Sequence, residues 1–310
     1  MKKVTKALLA IGAIIATPVI INHVIAKKAE KRIGEKVLEN VYNWEYGDIH
    51  YEVAGEGAPL LLIHGIYPGA SNQEWKKLMS LFAENHKVYA IDLLGFGHSS
   101  KPALDYSAYL YVRLIKDFIE NVIGQPTTAV ASLHSAMALA TCAALNPEDF
   151  EKLLLVSPTG LETETLMAQN DDGMAKKVLE SPILGTSIYN ALCSKKGLAE
   201  FFKESGIVAE GFDEQELDKI YLAAHTDGAA GKYAVAALLT KFLNADIKTT
   251  LGQLAVPFNI IAGECSSADS DFNLWQDIGT DYPAIIMEGH GLLPHIENPE
   301  EFYAAAKEFL

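Results

Sequence analysis

The sequence predicts a mostly parallel, doubly wound α/β domain with a helical insertion and an N-terminal transmembrane helix. Three observations support this prediction. Short apolar runs alternate with helical patterns, a long helical stretch interrupts that alternation, and one charge-free segment lies near the start. Such alternation is typical of a sheet with helices on both faces. With 310 residues, 49% of them hydrophobic, the chain can bury a substantial core.

The charge-free segment covers residues 7–26. As a helix rising about 1.5 Å per residue it would span roughly 30 Å, the thickness of a bilayer core. A cleaved signal peptide and a buried helix of a soluble domain are the alternatives, but the segment has no well-placed small residues for signal cleavage. We therefore expect residues 1–32 to be a single-pass membrane anchor with the lipid bilayer as a partner. Basic residues flank it on both sides, and their slight excess after it places the body towards the cytoplasm.

Charge and cysteine content narrow the classes of partner. Forty acidic and 25 basic residues give a net charge of −15 and a pI near 5.0. Seven basic residues and one acidic residue fall within the first 32, so the remainder carries −21. This acidity excludes nucleic acid, whose phosphates require a basic surface. The cysteines, Cys142, Cys193 and Cys265, are widely spaced without a CxxC motif, which indicates neither a disulfide framework nor a metal site.

The body, residues 33–310, is predicted to form one α/β domain. Strands are expected at residues 48–53, 59–63, 87–93, 127–132, 152–157, 257–262 and 284–288. The segment between the fifth and sixth of these strands is too long for one crossover, and it contains helical patterns at residues 164–181, 185–205, 213–225 and 232–244. We therefore expect a helical cap over about residues 162–247.

Two motifs lie where predicted strands end, which is where open α/β sheets place ligands. The strand ending at Ile63 leads into His64-Gly65-Ile66, and a later strand leads into the loop D-x-x-G-x-G-x-S-x-x-P at residues 92–102. Together they resemble the α/β-hydrolase superfamily, of AB hydrolase-1 type, over about residues 44–310. The resemblance implies that the backbone N–H of Ile66 supplies half of an oxyanion hole. It also implies a small-molecule substrate and no metal or organic cofactor, and the apolar cap suggests a hydrophobic acyl compound.

One interpretation retains a catalytic triad in a shifted register. Ser135 would attack, His290 would act as general base, and Asp271 or Asp269 would orient it. The N–H of Ala136, which follows the nucleophile, would then complete the oxyanion hole.

A second interpretation leaves the site without chemistry. The nucleophile turn requires small residues two before and two after its tip, and Leu133 satisfies this with Ala131 and Ser135. In the same register, Ser266 stands where the acid belongs and Leu292 where the base belongs.

Two further observations bear on the choice. In the family the nucleophile stands about fourteen residues before an Asn-Pro-Glu such as the one starting at Asn146, and this distance fits Leu133. His134 also has small neighbours, but an imidazole is not a usual acyl acceptor. Two functions stay open: a membrane-anchored serine hydrolase of ester or acyl substrates, or a catalytically silent binding or scaffold protein.

Overall fold

Eight strands in the described part of the chain form one sheet in the order β1-β2-β4-β3-β5-β6-β7-β8. The computed structural model describes residues 2–34, 38–161, 172–245, 248–265, 272–273, 275 and 284–310, and the side chains of these from residue 17 onward except that of Asp172. The strands are β1 (Val41–Trp44), β2 (Gly47–Ala54), β3 (Ala58–Ile63), β4 (His86–Ile91), β5 (Thr127–Ser132), β6 (Phe150–Val156), β7 (Phe258–Gly263) and β8 (Ile285–Met287). β1, β2 and β4 pair antiparallel, whereas every pairing from β4 to β8 is parallel. The predicted mostly parallel sheet is confirmed.

Helices cover both faces of this sheet. They are α1 (Lys2–Ile33), α2 (Lys76–Phe82), α3 (Ala108–Phe118), α4 (Leu133–Leu145), α5 (Asp172–Glu180), α6 (Leu184–Leu192), α7 (Lys195–Ser205), α8 (Glu214–Ala224), α9 (Lys232–Leu239), α10 (Lys248–Leu251), α11 (Pro294–Glu297) and α12 (Pro299–Ala306). Successive residues of a strand point to opposite faces. In β3, accordingly, Leu60 and Leu62 pack with the α2 and α12 side, and Leu61 and Ile63 pack with the α3 and α4 side.

The cap consists of α5 to α9, inserted between β6 and β7. An isolated parallel bridge joins Leu161 to Ala245, so the two ends of the insertion meet next to the sheet. The helix predicted over residues 185–205 is two helices, because Ser194 caps the second by accepting a hydrogen bond from the Gly197 N–H at 3.0 Å. The helix predicted over residues 232–244 ends early, where Lys241 adopts a φ of +59°.

The predicted membrane anchor over residues 7–26 is wrong. No helix in the described part of the molecule has the length and apolar character needed to cross a membrane. From residue 17 onward α1 contacts the cap: Asn22 donates to Ser187 Oγ at 3.0 Å and accepts from Asn190 at 2.9 Å. Ala29 is fully buried and Arg32 pairs with Asp218. Hydropathy alone could not distinguish lipid contact from contact with the cap.

Candidate functional site

The turn from β5 into α4 has the geometry of a nucleophile elbow, with Leu133 at its tip. Leu133 has a φ of +51°, in the left-handed region, which costs a residue with a side chain about 1–2 kcal/mol. Ser132 before it is still extended, with a φ of −115°. A strained strand-to-helix turn of this kind normally presents the nucleophile in this fold. Here it presents a leucine.

The Leu133 side chain is packed, with only 3% of its surface exposed. It lies against the turn after β3: a Cβ added to Gly65 would be 3.0 Å from Leu133 Cδ1 and 2.9 Å from Ser132 Oγ. A side chain at residue 65 would force Ser132 or Leu133 to shift, which favours glycine at this position. The Leu133 side chain therefore fills the space beside Gly65, the residue that precedes Ile66.

Ser135 lies in the first turn of α4, two residues past the tip, and is 1% exposed. Its hydroxyl donates to the backbone carbonyl of His64 at 2.6 Å. The His64 ring is also engaged, because Nδ1 donates to the Gly65 carbonyl at 2.6 Å and Nε2 accepts from the Leu93 N–H at 3.0 Å. The Ser135 hydroxyl is thus hydrogen-bonded to a backbone carbonyl, and the nearby His64 ring is occupied by two backbone groups.

The residue directly after the tip is His134, so its N–H follows Leu133, whereas Ala136 is buried two residues further along α4. The His134 ring spans the two ends of the cap: Nε2 donates to Asn244 Oδ1 at 3.0 Å, and Nδ1 lies 3.0 Å from Thr159 Oγ1. Its imidazole thus joins the elbow to the cap. Ile66, the other predicted oxyanion donor, is buried at 2% exposure.

His290, the predicted general base, is hydrogen-bonded to the backbone of its own turn. His290 is partly exposed, and its Nδ1 donates to the backbone carbonyl of Glu288 at 2.7 Å. Leu292, two residues later, packs against the buried core and donates its N–H to the Gly206 carbonyl at 3.0 Å. The candidate acids Asp269 and Asp271, and Ser266, lie outside the described residues.

A buried carboxylate, which sequence reasoning did not single out, lies beneath the elbow. The Glu74 side chain has no exposed surface. Its Oε2 accepts from the Gly65 N–H at 2.9 Å and the Tyr67 hydroxyl at 3.0 Å. Its Oε1 accepts from Ser132 Oγ at 2.6 Å and from His295 Nε2 at 3.0 Å. One carboxylate thereby ties together the turn after β3, the elbow and the helix after β8.

These contacts set the protonation of the cluster. Burial raises the pKa of the Glu74 carboxyl. The hydrogen bond and charge of His295, together with the charge of His64 and the hydrogen bond from Ser132, lower this pKa by more than burial raises it. The net result is a pKa below the usual range of a glutamate. Burial and the adjacent Glu74 carboxylate raise the pKa of the Tyr67 hydroxyl well above its usual value. At neutral pH the cluster is a charged acceptor surrounded by donors.

A second buried carboxylate, Asp92, holds the loop after β4. It accepts hydrogen bonds from the Asn72 N–H at 2.7 Å, the His98 N–H at 2.9 Å and His50 Nδ1 at 2.8 Å. Burial raises the pKa of Asp92, but the hydrogen bond from His50 and the other donors bring it below its usual range. Gly97 must lack a side chain because a Cβ there would lie 2.2 Å from the Asp92 carboxylate. Gly97 therefore serves the loop's internal packing.

Among the described residues, no group of three or more His, Cys, Asp and Glu side chains is arranged to hold a metal ion. Two cysteines, Cys142 and Cys193, are buried free thiols, and burial raises the pKa of each to about 12. Cys265 is a free, exposed thiol.

The fold and the elbow define an α/β-hydrolase, and the chain belongs to the alpha/beta hydrolase family, whose model matches residues 60–306. A 2-hydroxy-6-oxo-6-(2'-aminophenyl)hexa-2,4-dienoic acid hydrolase of Metapseudomonas resinovorans is 30% identical over 142 residues, which is 45% of this chain and 49% of that protein. The chain thus aligns with about half the length of this curated relative.

Solved structures show the same fold. A serine hydrolase involved in carbazole degradation, the CarC enzyme, superposes with a TM-score of 0.70 at 22% identity, over 87% of this chain and 97% of that chain. A bacterial membrane phospholipase A superposes with a TM-score of 0.66 at 22% identity, over 100% of this chain and 98% of that chain.

Proposed function

We propose that this chain is a catalytically silent member of the family, which binds a small hydrophobic molecule without cleaving it. The observation that carries the proposal is Leu133 at the strained tip of the elbow, with a φ of +51°. Leucine has no atom that can attack a carbonyl, and covalent hydrolysis in this fold requires a nucleophile at that point.

The surroundings of the two polar candidates also support a silent site. A serine hydroxyl becomes a nucleophile when an adjacent base accepts its proton. Ser135 instead donates to a backbone carbonyl, and the Nδ1 of His290 donates to the Glu288 carbonyl, where a triad would have the orienting carboxylate. Leu292 stands two residues beyond His290 and packs into the core. Leu133 at the tip and Leu292 near the expected base position both favour a site that lacks catalytic side chains.

The competing function is a serine hydrolase of ester or acyl substrates, with Ser135 as nucleophile, His290 as base and Asp271 as orienting acid. The names of the relatives favour it, because they describe hydrolases. It would require Ser135 to leave its 2.6 Å hydrogen bond to His64 and become exposed at the elbow. Leu133 would also have to move out of its packed position.

A fluorophosphonate probe distinguishes the two functions. The full-length chain and Ser135→Ala are incubated with the probe and separately with 4-nitrophenyl butyrate, and labelled peptides are mapped by mass spectrometry. We expect no label on either protein and no turnover above the buffer rate. A stoichiometric label on Ser135 that disappears in Ser135→Ala would refute the silent site and establish the hydrolase.

A further inference from the structure

A small apolar pocket opens between the loop after β3 and cap helix α8, with a volume of ≈ 130 Å³. Tyr67, Phe212, Ile220 and Ile296 line it. α8 approaches the loop closely because residue 69 is glycine: a Cβ there would lie 2.6 Å from Ile220 Cγ2. An apolar cavity of about 150 Å³ in another protein holds benzene. The pocket therefore has the size of one aromatic ring.

The inner end of the pocket cannot hold a charged group of a ligand. Glu74 lies there, and its two oxygens already accept four hydrogen bonds from protein donors. A ligand cation would have to displace one of these donors to reach the carboxylate, and a ligand anion would be repelled by its negative charge. An apolar group is the part of a ligand that fits this end.

Besides Glu74, the charged residues that line the pocket are three lysines and one glutamate. They are Lys76, Lys77, Lys219 and Glu216. Lys76 pairs with Glu52 at 3.4 Å, and Lys77 pairs with Glu216 at 3.4 Å. Lys219 is exposed and has no ion pair among the residues that the structure describes. In a chain with a net charge of −15, this ammonium group is available for an anion.

Lys219 also borders a second cavity of ≈ 330 Å³, which the small pocket adjoins through Ser71 and Gln73. The polar head of a ligand can therefore extend beside Lys219 while its apolar part stays inside. Arg32 lines the same cavity but is already paired with Asp218. The free positive charge at the junction of the two cavities is that of Lys219.

We propose that this pocket binds a ring-sized apolar monocarboxylate, with the ring between Phe212 and Ile220 and the carboxylate at Lys219. The proposal rests on the proposed function, since it names the ligand class of a binding protein. It requires no reaction, because the ligand enters and leaves unchanged.

Benzoate and its neutral isostere benzamide test the charge and the pocket together. Their dissociation constants are measured by ligand-observed NMR titration with the full-length chain, Lys219→Gln, Phe212→Ala and the control Lys307→Gln, which removes an exposed lysine far along the chain. We expect benzoate to bind the wild-type protein about fivefold more tightly than benzamide in low salt. Lys219→Gln should abolish that preference and Lys307→Gln should keep it, whereas Phe212→Ala should weaken both compounds.

Added salt should reduce the benzoate preference, because an exposed charge pair is screened. Equal affinity for the two compounds in the wild-type protein, a preference that survives Lys219→Gln, or no binding of either at 20 mM would each overturn the proposal. The fluorophosphonate experiment is independent of these outcomes: a labelled Ser135 would refute the silent site, and failed benzoate binding would leave that site untouched.

Discussion

The turns after β3 and β5 lie side by side, because these two strands are paired in parallel, and they have opposite chemistry. After β3, Gly65, Tyr67 and Glu74 form a buried hydrogen-bond cluster in which each carboxylate oxygen accepts two bonds. After β5, the strained tip carries the apolar side chain of Leu133. The polar groups that hold the elbow in place are present, whereas the tip has no reactive atom. The strained turn after β5 therefore forms without a nucleophilic side chain at its tip.

The largest effect should follow from removing the carboxylate of the first turn. Glu74→Ala leaves the donors of Gly65, Tyr67, Ser132 and His295 buried without an acceptor, so we expect a loss of about 3–5 kcal/mol of unfolding free energy. Urea denaturation followed by circular dichroism measures it. Glu216→Ala, which removes a partly exposed salt bridge, should change stability by less than about 1 kcal/mol. Similar losses for both variants would show that the cluster is not a structural centre.

The same carboxylate should make stability depend on acid. Folding lowers the pKa of Glu74, so its contribution is complete above the unfolded pKa of about 4.3 and is lost as pH falls through the folded pKa. Between about pH 5 and pH 3 the wild-type protein should therefore lose more unfolding free energy than Glu74→Gln. Urea midpoints at several pH values test this. Parallel curves for the two proteins would contradict the assignment.

In the turn after β5, glycine should make the protein more stable than alanine does, whereas at an ordinary helix position it makes the protein less stable. Leu133 and Leu139 are both buried in α4, but only Leu133 has a positive φ. At Leu139, glycine should be about 1 kcal/mol less stable than alanine. At Leu133, glycine should be more stable than alanine by about 0.5–1 kcal/mol, because it relieves the left-handed strain. The four variants are compared by urea denaturation, and the same sign at both positions would exclude strain at the tip.

The smallest effect should come from α1, which is hydrogen-bonded to the cap. Asn22→Ala removes hydrogen bonds to Ser187 and Asn190, so a loss of about 1 kcal/mol or less is expected. Hydrogen exchange of residues 17–33 should accelerate, while exchange in β3 and β5 should stay unchanged. His23→Ala, an exposed neighbour on the same helix, is the matched control. Equal exchange in both variants would mean that Asn22 does not hold the helix to the cap.

The sheet was largely predictable because its central strands are short apolar runs that end in recognisable turns. β5 was predicted with the bounds that the structure has, β3 differs by one residue at one end, and β7 is shifted by one residue. β1 was missed, since Val41–Trp44 alternates weakly and forms only by pairing with β2 through the turn between Trp44 and Gly47. Cap helices were located but joined or extended too far. A serine cap at Ser194 and a left-handed Lys241 are local signals that hydrophobic periodicity does not contain.

The site was only partly predictable. Small neighbours on both sides pointed to Leu133 as one of the possible tips beside Ser135 and His134, and only the backbone geometry reveals the positive φ at Leu133. The role of Glu74 was not predictable from the sequence, because Glu74 follows the polar stretch Ser71-Asn72-Gln73 and its partner His295 lies 221 residues away. Contacts over such a separation are made by the fold. The anchor prediction failed for a related reason, since Asn22 of α1 finds its hydrogen-bond partners in Ser187 and Asn190, which are distant in sequence.

The bridge between Leu161 and Ala245 makes the cap a closed loop on the sheet. The Ala245 N–H donates to the Gly160 carbonyl at 3.2 Å, so the ends of the insertion meet at the distance of a single hydrogen bond. A module whose entry and exit coincide can be exchanged without moving the strands that flank it, because the loop that replaces it needs only a few residues to close. This junction is therefore where a cap from another protein could be transplanted.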